Sequence, residues 1–286
     1  MAGTLFASLV DGLLLGFVYG IAAMGLSLIW GVMNVINLAH GAIMALGMFG
    51  VYLGFANLGL SPYIALLLVA VLGLLLGVLI YVVAVHRVIN APHLSTLLAT
   101  FSVNMIIIGL GTVVFTTSPR NVDISLGSIE IGPATVLGTR LVAALAAVLV
   151  TAALYFFLYR TRPGKYVRAV ANNRAAAELM GIPSARVLAL SFGIGTMLAS
   201  IAGGLIATFF SFTILSGGVY ELKSFVIVVL GGLGNPLGAL VGGLILGVIE
   251  GVVPQFIGNT WVPVLEFGLF VLVLLVRPAG LLKARV

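Results

Sequence analysis

The sequence predicts an all-α, polytopic transmembrane helical bundle, and three observations carry that prediction. Of 286 residues, 62% are hydrophobic and 7% charged, against about 25% charged in a soluble domain. So few charges cannot dress a water-facing surface, so lipid must solvate the chain. The apolar residues also form unbroken runs of about 20 rather than alternating stretches of ~10, which favours helices over a membrane barrel. The length suits one domain over residues 1–286 with short loops and no second, soluble domain.

In chain order, eight apolar segments are Leu5–Trp30, Val35–Phe55, Pro62–Val85, Leu94–Thr117, Thr139–Tyr159, Val187–Thr213, Phe225–Gly251 and Trp261–Val276. Their lengths suit a hydrocarbon layer about 30 Å thick. No basic stretch precedes the first run, so it is expected to be a retained helix rather than a cleaved signal. The absence of cysteine excludes disulfides and thiolate chemistry. A net charge of +6 reflects the bias of Lys and Arg towards cytoplasmic loops rather than nucleic-acid binding.

Two polar interruptions are large, Ser118–Gly138 and Arg160–Arg186. The second holds Arg160, Arg162, Lys165, Arg168, Arg174 and Arg186; Arg277, Lys283 and Arg285 mark the C-terminal tail, and Arg87 the His86–His93 connection. These positions are expected on the cytoplasmic side, with Ser118–Gly138 outside. Three apolar segments between loop and tail would put them on opposite sides. The weak point is Gly231-Gly232-Leu233-Gly234-Asn235-Pro236, where clustered glycine and proline interrupt a helix. Phe225–Gly251 is therefore expected to be a broken, re-entrant pair of half-helices, buried in protein or lining a cavity.

A counterpart lies in the first half, Gly31-Val32-Met33-Asn34-Val35-Ile36-Asn37-Leu38-Ala39-His40-Gly41. Interrupted segments in both halves are the pattern of an inverted-repeat transporter and point to its pathway. On that ground the candidate pathway residues are Asn34, Asn37, His40, Gly41, Gly231, Gly232, Gly234 and Asn235. The polar members could contact a passing zwitterion or bridge neighbouring helices. Glycines recur every fourth residue, as at Gly12/Gly16/Gly20 and Gly243/Gly247/Gly251, which predicts close helix packing. Glu221 with Lys223 reads as a loop ion pair, and Glu250 and Glu266 as groups near the outer interface.

Within the basic loop, Pro163-Gly164 is a turn signal, Tyr166–Met180 is rich in helix formers, and Gly181 with Pro183 is a stop. The spacing predicts a short amphipathic helix beside the membrane. Val167, Val170, Ala171, Ala177, Leu179 and Met180 offer apolar contacts, while Arg168 and Arg174 stay solvated. Anionic lipid could hold such a helix at the interface.

Residues 169–182, Ala-Val-Ala-Asn-Asn-Arg-Ala-Ala-Ala-Glu-Leu-Met-Gly-Ile, resemble the EAA loop of ABC importer permeases, in the variant of the LivH-type branched-chain amino-acid permeases. Gly25-Leu-Ser-Leu-Ile-Trp-Gly-Val-Met-Asn-Val-Ile-Asn-Leu-Ala-His-Gly41 is similar to the N-terminal signature of that family, and Leu230–Gly243 to its late glycine-rich segment. The resemblance implies that residues 160–186 are a coupling loop docking a cytoplasmic ATPase through Arg168, Ala171, Asn172, Asn173, Arg174, Ala177, Glu178, Met180 and Gly181. Ala175 stands where the family's glutamate is expected, with Glu178 one turn later.

The same resemblance implies partners: a homologous second permease subunit or a second copy, two ABC ATPase subunits and a periplasmic solute-binding protein that delivers an amino acid. It also implies a bacterial inner-membrane location. Urea and short amides are alternative cargoes. A stand-alone ion-coupled transporter or channel, or an intramembrane enzyme, would instead work without an ATPase. No phosphate-binding loop, H-E-x-x-H, G-x-S-x-G or C-x-x-C is present, so no cofactor, metal or catalytic role is expected of the chain.

Overall fold

The computed structural model describes residues 2–132, 134–277 and 280–282. Its helices are α1 (Ala2–Met33), α2 (His40–Leu58), α3 (Pro62–Ile80, extended by a π-helical turn to Val85), α4 (His93–Phe115), α5 (Gly138–Arg160), α6 (Arg162–Asn172), α7 (Arg174–Leu179), α8 (Ser184–Ile206), α9 (Gly217–Gly231), α10 (Pro236–Val252), α11 (Pro254–Ile257) and α12 (Val262–Val276). One antiparallel hairpin, β1 (Ser128–Ile131) with β2 (Ala134–Leu137), lies in the loop before α5. Among the described residues nine helical stretches are long and apolar enough to cross a membrane. The chain is a multi-pass helical membrane protein.

The break foreseen at Gly231–Pro236 is present, over residues 232–235, but each half beside it is long and apolar enough to span by itself, Ile214–Gly231 and Pro236–Ile257. Gly232 and Gly234 have φ of 105° and 79°, a region open to glycine at no steric cost. Asn235 then caps α10 by accepting from the Gly238 amide at 3.1 Å. Among the described residues the stretches long and apolar enough to cross thus number nine rather than eight. Four spans now separate the basic loop from the tail, which brings both to one end of the bundle. Arg277 lies in that tail; Lys283 and Arg285 fall outside the described residues.

Small residues set the packing. In lipid no hydrophobic force drives helices together, so close backbone approach and interhelical hydrogen bonds must do so. α1 runs antiparallel to α10 along facing glycines: a methyl on Gly16 would lie 2.9 Å from Leu244 Cα, and one on Gly243 2.6 Å from Gly20 Cα. α1 also meets α8 through Gly25 and Gly195, and α3 meets α8 through Gly73 and Gly77, where Thr196 Oγ1 donates to the Gly73 carbonyl at 2.9 Å. α1 and α8 are accordingly the central spans, 83% buried, whereas α4 and α12, each 17% buried, form the perimeter.

Polar contacts tie each end together. At the end where α1 begins, Arg140 pairs with Asp11 at 3.1 Å, and Arg120 exchanges backbone hydrogen bonds with Phe212 at 2.8 and 3.0 Å. At the opposite end Arg174 Nη1 donates to Asn90 Oδ1 at 3.3 Å. The short connection after α3 therefore packs on the basic loop, and both belong to one face.

Candidate coupling loop and interrupted segments

The basic loop folds as two helices. Thr161 caps α6 by accepting from the Gly164 amide at 3.1 Å. Asn173 is fully extended, with φ −156° and ψ 102°, and its Oδ1 accepts from the Ala176 amide at 3.0 Å. One residue thus ends α6 and caps α7, which divides the single helix predicted over Tyr166–Met180. The cause is local: an Asn side chain competes with helical backbone bonding and favours a cap.

Val167, Val170 and Ala177 are buried against the bundle, as their apolar character predicts. Arg168 is half-buried rather than free in solvent. Its Nε donates to the Leu158 carbonyl at 3.1 Å and its guanidinium lies 4.5 Å from the Tyr159 ring centroid, a cation–π contact. Leu179 and Met180 turn away from the body and are 89% and 82% exposed. Ala171 is half-buried, and Asn172, Asn173, Glu178 and Gly181 are exposed.

The end of α7 is fixed by its backbone. Ile182 N donates to the Ala177 carbonyl and Gly181 N to the Glu178 carbonyl, both at 3.0 Å, with Gly181 left-handed at φ 79°. This is the Schellman arrangement that glycine favours. Glu178 accepts from the Ser184 hydroxyl and pairs with Arg174 at 3.1 Å. The Ser184 hydrogen bond, then Arg174, hold the Glu178 carboxyl below its usual pKa. The apolar tip Leu179–Met180 is thereby presented by a tied loop.

The first interrupted segment is non-helical and, beyond Asn34, largely interior. Asn34 ends α1 in the left-handed region, φ 52°, its amide donating to Trp30 O at 2.8 Å, and its side chain is exposed. The chain then turns back, and α2 starts at His40 rather than Val35. His40 Nε2 donates to the Ala22 carbonyl at 2.9 Å; Ala22 lies about 16 Å from the end of α1 at 1.5 Å per residue. Asn37 Oδ1 accepts from Ala39 N at 3.1 Å, and Thr100 Oγ1 donates to the Ile36 carbonyl at 3.0 Å. These bonds serve backbone that lipid could not.

Asn37 and His40 are fully buried, and Asn37 Nδ2, His40 Nδ1 and Ser27 Oγ have no hydrogen-bond partner. Gly41 touches Gly217 backbone to backbone where α2 and α9 start. The second segment meets the beginning of the first: Gly234 sits against Gly31 at the end of α1, while Gly231 packs against Gly238. A pocket of about 530 Å³ brings part of both sets together, lined by Gly31, Tyr159, Val167, Arg168, Gly234 and Asn235.

The ion pair read from Glu221 and Lys223 is absent. Alternate positions on α9 point apart, so Lys223 instead bonds Glu250 at 2.5 Å and Glu266 at 3.4 Å, while Glu221 packs on Gly41. Tyr19 donates to Glu250 at 3.2 Å. Charges inside spans are expected to pair, and that rule was the available signal for this cluster.

Residues 8–275 match the family model described as branched-chain amino acid transport system / permease component. The high-affinity branched-chain amino acid permease protein LivH of Salmonella typhimurium is 31% identical, over 95% of this chain and 93% of its own length. BraD of Pseudomonas aeruginosa, of the same description, is 28% identical over 96% and 94%. The fructose import permease protein FruG of Bifidobacterium longum is 28% identical over 72% and 64%. No solved structure matches the chain. With the match running through nearly every span, this chain belongs to the branched-chain amino acid transport system permease component family.

Proposed function

We propose that the chain is the membrane-spanning permease subunit of an ATP-driven importer in a bacterial inner membrane, moving branched-chain or related amino acids delivered by a periplasmic binding protein. Residues 160–186 are its coupling loop. A homologous permease or a second copy completes the membrane part, and two ABC ATPases supply the energy; nothing in the reading requires catalysis by this chain. The amino-acid cargo follows the names of LivH and BraD.

One observation carries the coupling role. Leu179 and Met180 project almost wholly exposed from a loop that Asn173, Gly181, Glu178 and Ser184 fix in place. Apolar side chains held out at the basic end of a membrane bundle favour a protein groove as their partner. Motion of α6 would reach the bundle through Arg168 on Tyr159 and through the pocket it shares with Gly31, Gly234 and Asn235. Buried Asn37 and His40, each with one nitrogen lacking a hydrogen-bond partner, belong to the segment that we infer rearranges along the pathway.

Co-expression with the ATPase subunits tests the docking. Removing residues 171–180, or replacing Leu179 and Met180 by Asp, is expected to release the ATPases while the chain still inserts. ATPases that stay bound after the deletion would refute the assignment.

A further inference from the structure

The pocket of about 530 Å³ lies where three spans end or begin, between the last turn of α1, the end of α5 and the start of α10. That places it at the boundary between hydrocarbon and water, on the side of the basic loop. Its volume is in the range of small-molecule sites, ~300–1,000 Å³. Leu28, Val32 and Leu237 give it apolar walls, and Leu281, whose amide donates to the Leu230 carbonyl at 2.9 Å, adds a wall from the tail. Tyr159 and Leu237 are exposed at its rim, and Arg168 is the charged residue of its lining.

Nothing in the chain neutralises that charge. Arg168 commits Nε to the Leu158 carbonyl and the face of its guanidinium to the Tyr159 ring. Its two Nη groups meet no acceptor among the described residues and keep accessible surface, so the outer fork is open. Arg162 and Lys165 precede it at three-residue intervals, which sets them on the same side of α6. Neither has an ion pair among the described residues. Of the seven carboxylates, Asp11, Glu221, Glu250 and Glu266 lie within spans, and Asp123 and Glu130 in the loop at the other end. Glu178 remains, and Arg174 and Ser184 hold it. The anion must come from outside the chain.

An apolar pocket at this depth, with an open guanidinium at its edge, fits a molecule that is apolar at one end and anionic at the other. Basic pockets between spans on this side suit anionic headgroups, and the arginine fork matches phosphate with two donors. A soluble anion would leave the apolar walls uncovered. We propose that the pocket binds an anionic phospholipid, its phosphate on the Arg168 Nη groups and part of an acyl chain against Leu28, Val32 and Leu237. The site goes beyond the importer reading and does not depend on it.

Titration of the delipidated full chain with phosphatidylglycerol, followed by native mass spectrometry, tests it. The tightest-bound phosphatidylglycerol is expected to hold at least about tenfold more strongly than phosphatidylcholine with the same acyl chains, and inorganic phosphate should not displace it. Arg168→Gln is expected to weaken binding at least about tenfold. Arg87→Gln removes the same charge from the same end outside the pocket and should leave the affinity unchanged. Leu237→Asp is an independent variant: the position is exposed in the first turn of α10, where a carboxylate suits the helix, and its charge should repel the headgroup to a similar extent. Should Arg168→Gln protein aggregate, Leu237→Asp decides. Unchanged phosphatidylglycerol affinity in either variant when monodisperse overturns the site. So does equal binding of phosphatidylcholine, equal weakening by Arg87→Gln, or displacement by inorganic phosphate.

Discussion

Lys223 stands between two carboxylates, its Nζ 2.5 Å from Glu250 and 3.4 Å from Glu266. Glu266 is 3% exposed, so the ammonium is what makes its charge tolerable there. Removing one partner of a buried pair costs about 3–5 kcal/mol. Lys223→Met should therefore lower the thermal midpoint of the detergent-solubilised chain sharply. Adding Glu250→Gln and Glu266→Gln should restore most of the loss. A Lys223→Met protein as stable as the parent would show that the cluster does not hold α9, α10 and α12 together.

The α1–α10 crossing depends on glycine. A side chain at Gly243 would begin 2.6 Å from the backbone of Gly20, and backbone cannot swing aside as a flexible side chain can. Gly243→Val is expected to cost at least the ~1–3 kcal/mol of overpacking, read as a lower unfolding midpoint or failure to fold. At Gly218 a Cβ meets nothing within 4 Å, so Gly218→Ala serves as the control and should leave the midpoint unchanged.

At Gly181 the constraint is conformational rather than steric: φ is 79° and no atom lies within 4 Å of an added Cβ. Gly181→Val should destabilise the end of α7 by about 1–2 kcal/mol. Asn tolerates left-handed backbone, so Gly181→Asn should keep ATPase binding where Gly181→Val loses it. Equal loss in both would mean that the ATPase contacts the glycine directly.

Glu178 gives the loop a pH dependence. Its carboxyl is held below the usual range by the Ser184 hydroxyl, then by Arg174. A lowered folded-state pKa means that the contribution to loop order is complete above the unfolded pKa and fades as pH falls through the folded one. Carbon-detected NMR of labelled glutamate should place its titration below that of an unpaired glutamate. Ser184→Ala should move it upward; no movement would show that the Ser184 bond does not set it.

Much of this architecture was legible because hydropathy acts on each residue separately. Runs of apolar residues set the spans, Gly231–Pro236 announced its own break, and Pro163, Gly181 and Pro183 bounded the loop. What depended on distant partners was not. Lys223 sits two residues from Glu221 in sequence, yet its partners are 27 and 43 residues away. Asn173 sits among helix formers, which hides in the sequence that its side chain is a cap. The apolar character of Leu179 and Met180 carries no direction, since only the turn at Gly181 decides that they face outward. α2 starts at His40 rather than Val35 because Asn37 and Thr100 supply the hydrogen bonds that let non-helical chain lie inside the bundle.

Uptake into proteoliposomes tests the central claim most directly. L-leucine accumulation is measured with the permease alone, with its ATPase subunits, and with the binding protein and ATP added. The account predicts accumulation only when all are present, and its loss when Leu179 and Met180 are both replaced by Asp. Accumulation by the chain without any ATPase would contradict it.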